Sequence, residues 1–151
     1  VSQLREAWDP AGENYSGTVA TAGKAGNAVY TSQSQALQEI VNGMIAICEE
    51  VGNSKITAPF DAHDRSLEES QFSNNSDVDF ADNIRSVQNV YLGQYGSTSG
   101  TGVRALVQAE QPSLDATITG STTTAGRSVS RMAAATASTM AALASMPVLT
   151  A

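Results

Sequence analysis

The sequence holds little from which to build a thiol or multi-histidine centre. One cysteine, Cys48, and one histidine, His63, stand among 151 residues. An internal disulfide is therefore excluded, and so is any metal site needing several cysteines or histidines from this chain. Charged residues are 15% of the total, where about 25% is usual, so the polar surface must come from Ser, Thr, Asn, Gln and Gly. Cations are scarcer still. Lys and Arg number 8 against 15 Asp and Glu, for a formal charge of −7. That sign disfavours phosphate backbones and anionic lipid surfaces as partners, so no nucleic acid is expected. No apolar run approaches the roughly 20 residues that span a bilayer. No charged and apolar leader opens the chain, so an intact signal peptide is not expected.

What is present is helical periodicity. In the opening VSQLREAWDP, Leu4, Ala7 and Trp8 have helical spacing and Pro10 ends the pattern. This reads either as the last turns of a helix that begins upstream or as a short first helix. Residues 11–30 are glycine-interrupted and read as loop with some helical turns. Residues 32–51 form the clearest helix. Leu37, Ile40, Val41, Met44, Ile45, Ile47, Cys48 and Val51 make one apolar stripe, with Met44 and Cys48 as packing residues rather than ligands. Ser32 and Gln35 form a capping-box pattern, and Gly52 with Asn53 should stop the helix. Residues 52–75 read as a long connection, bent at Pro59, with a helical piece near 66–72. A second helix is predicted over 77–92, with Ser76 as N-cap, Gly93 as stop, and Val78, Ile84, Val87, Val90 and Tyr91 on one face. The stretch GQYGSTSGTG reads as loop and shows no phosphate-cradle pattern. A short helix is expected at 103–109. A helical period then runs from Ser113 to Met146 through Leu114, Ile118, Ala125, Val129, Met132, Met140 and Leu143. No hairpin signal is seen. The fold class is all-α, a helical bundle, with residues 1–30 as helix tail and loop and 31–151 as the bundle.

The acids cluster. Seven of fifteen lie between Asp61 and Asp82, and His63 shares the stretch. Carboxylates with one imidazole can hold a hard or borderline cation, although the same residues serve equally as helix caps and solvated loop. A calcium loop starting at Asn75 fails, because Phe80 stands where Gly is needed and Ser86 where Glu is needed. A hydrolase triad around His63 lacks a nucleophile elbow, and a Cys48–His63 pair fails because the thiol lies on the buried stripe.

Two blocks carry a resemblance. They are ALQEIVNGMIAICEEVGNSKITAPF and ESQFSNNSDVDFADNIRSVQNVYLG, the second placing Glu69, Ser73, Asn75, Ser76, Asp79, Asn83, Asn89, Tyr91 and Gly93 in order. From Ala36 to Gly93 the chain resembles the second half of the imelysin family, also known as insulin-cleaving or iron-regulated envelope proteins. The resemblance implies one half of a fold made of two helical bundles, with a periplasmic or cell-envelope location and a link to iron uptake. It implies an N-terminal half as partner, iron-uptake components as further partners, and iron or zinc shared between the halves. The family's Gly-x-His-x-x-Glu motif belongs to the other half. Here His63 is followed at the third position by Ser66, and Gln71 stands where the family often has Arg.

These readings yield three expectations. The first is a metal-linked binding cleft, with Glu69 and His63 as candidate metal ligands. Ser73, Asn75, Ser76, Asp79 and Asn83 would be ligand or interface residues that orient groups on the other half. The second is a share in a metallopeptidase whose catalytic residues are elsewhere, which leaves no catalytic residue in this chain. The third is a purely structural helical module.

Overall fold

In the computed structural model, residues 1–123 and 141–146 are described. The fold is predominantly helical, as the periodicity predicts. The chain divides into two compact units, Val1–Ile40 with Ala144–Ala151, and Val41–Leu143.

The first unit contains α1 (Ser2–Trp8) and α2 (Tyr15–Ala20), and in it α3 (Gln33–Glu49) begins. Its core is Ala22, Tyr30 and Ala36, with Val19 packed against them. The Trp8 ring meets Tyr15 edge-on at 5.1 Å. The Tyr15 and Tyr30 hydroxyls share a hydrogen bond, which pushes the Tyr30 pKa up to about 12. The capping box at α3 is half as expected. The Ser32 hydroxyl accepts from the Gln35 N–H at 3.1 Å, but the Gln35 amide oxygen reaches Thr31 N–H at 2.9 Å, one residue earlier than the motif requires.

The second unit begins with the buried half of the predicted stripe, Val41, Met44, Cys48 and Val51. Burial pushes the Cys48 thiol up to about 11, so it stays protonated and inert near neutrality. Gly52 and Asn53 do not stop the helix. After α3 it widens into a π-helical run, Glu50–Thr57, and then tightens into α4 (Ala58–Ala62). The cause is Pro59, in the first turn of α4. In an unbroken α-helix its ring would strike the carbonyl four residues back, and the wider turn removes that conflict. The Thr57 hydroxyl bonds the Gly52 carbonyl at 2.6 Å within this run. The predicted connection is therefore shorter than expected, with a 3-10 turn at Arg65–Leu67 in place of a helical piece at 66–72.

Helix α5 (Ser76–Leu92) matches its predicted span. Its N-cap is Asn75, not Ser76, which is the first helical residue and is buried. Phe80, Ile84, Val87 and Tyr91 form the buried face, while Val78 and Val90 turn outward. Phe80 thus takes the place on the stripe that the spacing gave to Val78. Gly93 ends the helix with φ 68, a left-handed conformation that favours glycine.

The loop that follows contains a hairpin that the sequence reading missed. Strand β1 (Gln94–Tyr95) pairs antiparallel with β2 (Thr98–Ser99). Gly96 supplies the positive φ, 57°, that a two-residue hairpin turn needs. Helices α6 (Val103–Glu110) and α7 (Pro112–Thr123) then pack with α5. Val103, Val107 and Ile118 are buried, and so is Leu143. The stripe positions Ala125, Val129, Met132 and Met140 lie outside the described residues.

A buried polar junction ties α5, α6 and α7 together. The Asp115 carboxylate receives the Tyr91 hydroxyl at 2.9 Å and the Arg104 guanidinium at 2.9 and 3.2 Å, with the Thr119 hydroxyl at 3.3 Å. Arg104 holds the Asp115 carboxyl below the usual range despite its burial. Burial, and then the hydrogen bond to the Asp115 carboxylate, push the Tyr91 phenol well above its ordinary value.

Candidate functional site

The segment from Lys55 to Phe80 folds around a surface cleft of about 680 Å³. Ile56 and Pro59 come from the widened helix and its exit, and Phe60 and His63 from α4 and its end. Asp64, Arg65 and Glu68 come from the following turn, and Asn74, Ser76, Asp77 and Phe80 from the start of α5. Local geometry explains the tight path. His63 and Asn74 both adopt left-handed backbone, with φ 50 and 51. These are reversals that non-glycine residues make mainly when they are Asn, Asp or His. The first ends α4, and the second turns the chain into α5.

At the α5 entrance the polar side chains form a knot centred on Ser70 and Asp79. The Ser70 hydroxyl donates to Asp79 Oδ2, and the Asn75 amide donates to Asp79 Oδ1 at 2.8 Å. The Ser70 N–H donates to the buried Ser76 hydroxyl at 3.2 Å. The Ser73 hydroxyl bonds the Ser70 carbonyl at 3.3 Å. Four of the predicted orienting residues, Ser73, Asn75, Ser76 and Asp79, are thus brought together. Asn83 is not. It is half-buried on α5, takes no part in the knot, and its carbonyl accepts from Ser86.

The two candidate metal ligands are placed differently. His63 is exposed, lines the cleft, and sets its ring 6.3 Å from that of Phe60. Glu69 does not line the cleft. Its Oε1 accepts from Lys55 Nζ at 2.9 Å, and its Oε2 has no partner among the described residues. Lys55 also lies 3.6 Å from Glu50. Burial pulls the Lys55 ammonium down, but Glu69 and Glu50 outweigh it and hold its pKa above the usual lysine value.

Sequence reasoning missed Ser70, Lys55 and Arg65, whose guanidinium bonds Asn74 at 2.8 Å and Glu68 at 3.3 Å. Lys55 and Glu69 stand fourteen residues apart, with no helical spacing to signal the pair. Ser70 and Asp79 are nine apart, across a turn that the chain pattern does not mark.

Among the described residues, no three His, Cys, Asp or Glu side chains are grouped closely enough to hold a metal ion. A resident metal held by these residues alone does not fit. No helix of the described residues is long and apolar enough to cross a membrane.

Comparison with known families gives a match over nearly the whole chain. The model of the imelysin family, labelled as a peptidase, covers residues 1–146 of the 151. The chain belongs to the imelysin family. The match extends well beyond the stretch from Ala36 to Gly93 that carried the resemblance in sequence. Imelysins are secreted or envelope proteins. No curated protein and no solved structure matches the chain.

Proposed function

We propose that this imelysin chain is a binding element rather than the bearer of a complete catalytic centre. In this reading it supplies one wall of a metal-linked cleft, and an N-terminal half supplies the other. The setting is the periplasm or cell envelope, with iron or zinc as the metal, and iron-uptake components are the partners beyond the other half.

The observation that carries the reading is the Ser70–Asn75–Ser76–Asp79 knot. It fixes a row of oxygens and amide groups before any partner arrives, so little ordering entropy remains to be lost on binding. Such groups suit hydrogen bonds that orient a metal-binding histidine or glutamate on the facing half. Glu69 lies directly before the knot, with no partner for Oε2 among the described residues. Lys55 fixes its orientation, and a carboxylate held in this way offers one oxygen to a cation. His63 is the other candidate donor from this chain. The remaining donors must come from the facing half, since the described residues offer no group of three.

Glu69→Ala, made in the assembly of both halves, is expected to weaken iron(II) or zinc binding several-fold in a calorimetric titration. The pair it breaks is partly exposed, with Glu69 at 39%, so stability should change by no more than about 1 kcal/mol. Unchanged metal affinity removes Glu69 from the site.

A further inference from the structure

The cleft has a charge balance that the metal-linked reading does not use. Both of its cations are committed within the chain, Lys55 to Glu69 and Glu50, and Arg65 to Glu68 and Asn74. Two of its carboxylates, Asp64 and Asp77, pair with no cation among the described residues. Asp64 spends one oxygen on the Ser66 N–H at 2.8 Å.

Beside His63 and Ser76, the rest of the lining is apolar: Ile56, Pro59 and the buried Phe80 provide surface, and Phe60 is 73% exposed. An aromatic face attracts a cation electrostatically. A volume of about 680 Å³ lies within the range of small-molecule sites.

We propose that the cleft binds a small organic cation with an apolar body, an aryl- or alkylammonium. Its ammonium would be held by Asp64 and Asp77 and its body by Phe60, Ile56 and Pro59. A bare metal ion leaves the apolar surface unused. An anion meets two carboxylates that pair with no cation among the described residues. A neutral apolar molecule gains the surface but loses the charge contact. The inference is independent of the metal-linked reading, since it needs neither a metal nor a second half.

The test uses the full chain in chelator-treated buffer and three probes that share a phenethyl body and carry a cationic, a neutral or an anionic head group. These are phenethylamine, phenethyl alcohol and 3-phenylpropionate, titrated calorimetrically. The amine is expected to bind saturably at one equivalent, the alcohol at least about fivefold more weakly, and the propionate more weakly than the alcohol. An Asp64→Asn/Asp77→Asn double variant should erase the difference between amine and alcohol, and both positions are exposed, so the fold is retained. Phe60→Ala should weaken both probes. Equal affinity for amine and alcohol, an amine affinity unmoved by the double variant, or no saturable amine binding at millimolar concentration would each overturn the proposal.

Discussion

Asp115→Ala should lower the unfolding free energy by about 3 kcal/mol, near the lower end of the range for breaking a buried ion pair. Asp115 is 5% exposed, and its carboxylate joins three helices through Tyr91 and Arg104. Removing it strands the Tyr91 hydroxyl, on a residue with 0% exposure, and a buried donor without a partner costs about 1–3 kcal/mol. Arg104 is 41% exposed and recovers part of its loss from water, which keeps the total from the top of the range. In a chain of this size the midpoint of thermal unfolding should fall by very roughly 10 °C. Asp82→Ala, which breaks the exposed pair with Arg85 at 2.6 Å, is the control and should stay within about 0.5 kcal/mol. The pH dependence follows with its sign. Asp115 has a folded pKa below its unfolded value, so its stabilisation is present above about pH 4 and is lost as pH falls through the folded pKa. Tyr91 is raised, so its share is present below about pH 10 and is lost as pH rises toward the folded value. The Asp115→Ala variant should therefore show a flatter acid limb than the parent in circular-dichroism melts.

Gly102→Ala should be comparably damaging, for a different reason. A Cβ at this position would lie 2.3 Å from both the Gly93 nitrogen and the Tyr91 carbonyl oxygen. Those atoms are backbone, so no side-chain rotation relieves the clash. Gly102 is the N-cap of α6, and Gly93 ends α5. Forcing them apart moves Arg104 away from Asp115 as well as opening the loop. Overpacking costs about 1–3 kcal/mol and sometimes more, and the rigid neighbours put this case at the upper end. Gly100→Ala, where an added Cβ meets nothing within 4 Å, should be nearly neutral. Chemical denaturation of the two variants side by side separates the steric effect from the general cost of replacing a loop glycine.

The helices were legible wherever local signals and packing agree. Helix α5 was readable because Ile84, Val87 and Tyr91 repeat at helical spacing and Gly93 can take positive φ. The buried half of α3 was readable for the same reason. The π-helical run was not, because Gly52 and Asn53 are common stop residues, and only the conflict at Pro59 explains why the helix widens instead of ending. The hairpin at Gln94–Ser99 was hidden by strands of two residues each, too short for any alternation to appear. At the candidate site, the residue types at Ser73–Asp79 suggested an oxygen-rich helix start, and they meet there. The partners could not be read, since Ser70 and Arg65 reach Asp79 and Asn74 across turns, and Lys55 reaches Glu69 across fourteen residues. The Asp115 junction was equally invisible, with Tyr91 twenty-four residues away on another helix.

The claim that this imelysin chain forms one wall of a metal-linked cleft is tested most directly by native mass spectrometry. The chain would be mixed with the N-terminal half and with iron(II) or zinc. The account predicts a one-to-one complex carrying a metal increment, with the increment reduced by Glu69→Ala. A bare 15.6 kDa species beside a metal-loaded N-terminal half would contradict it.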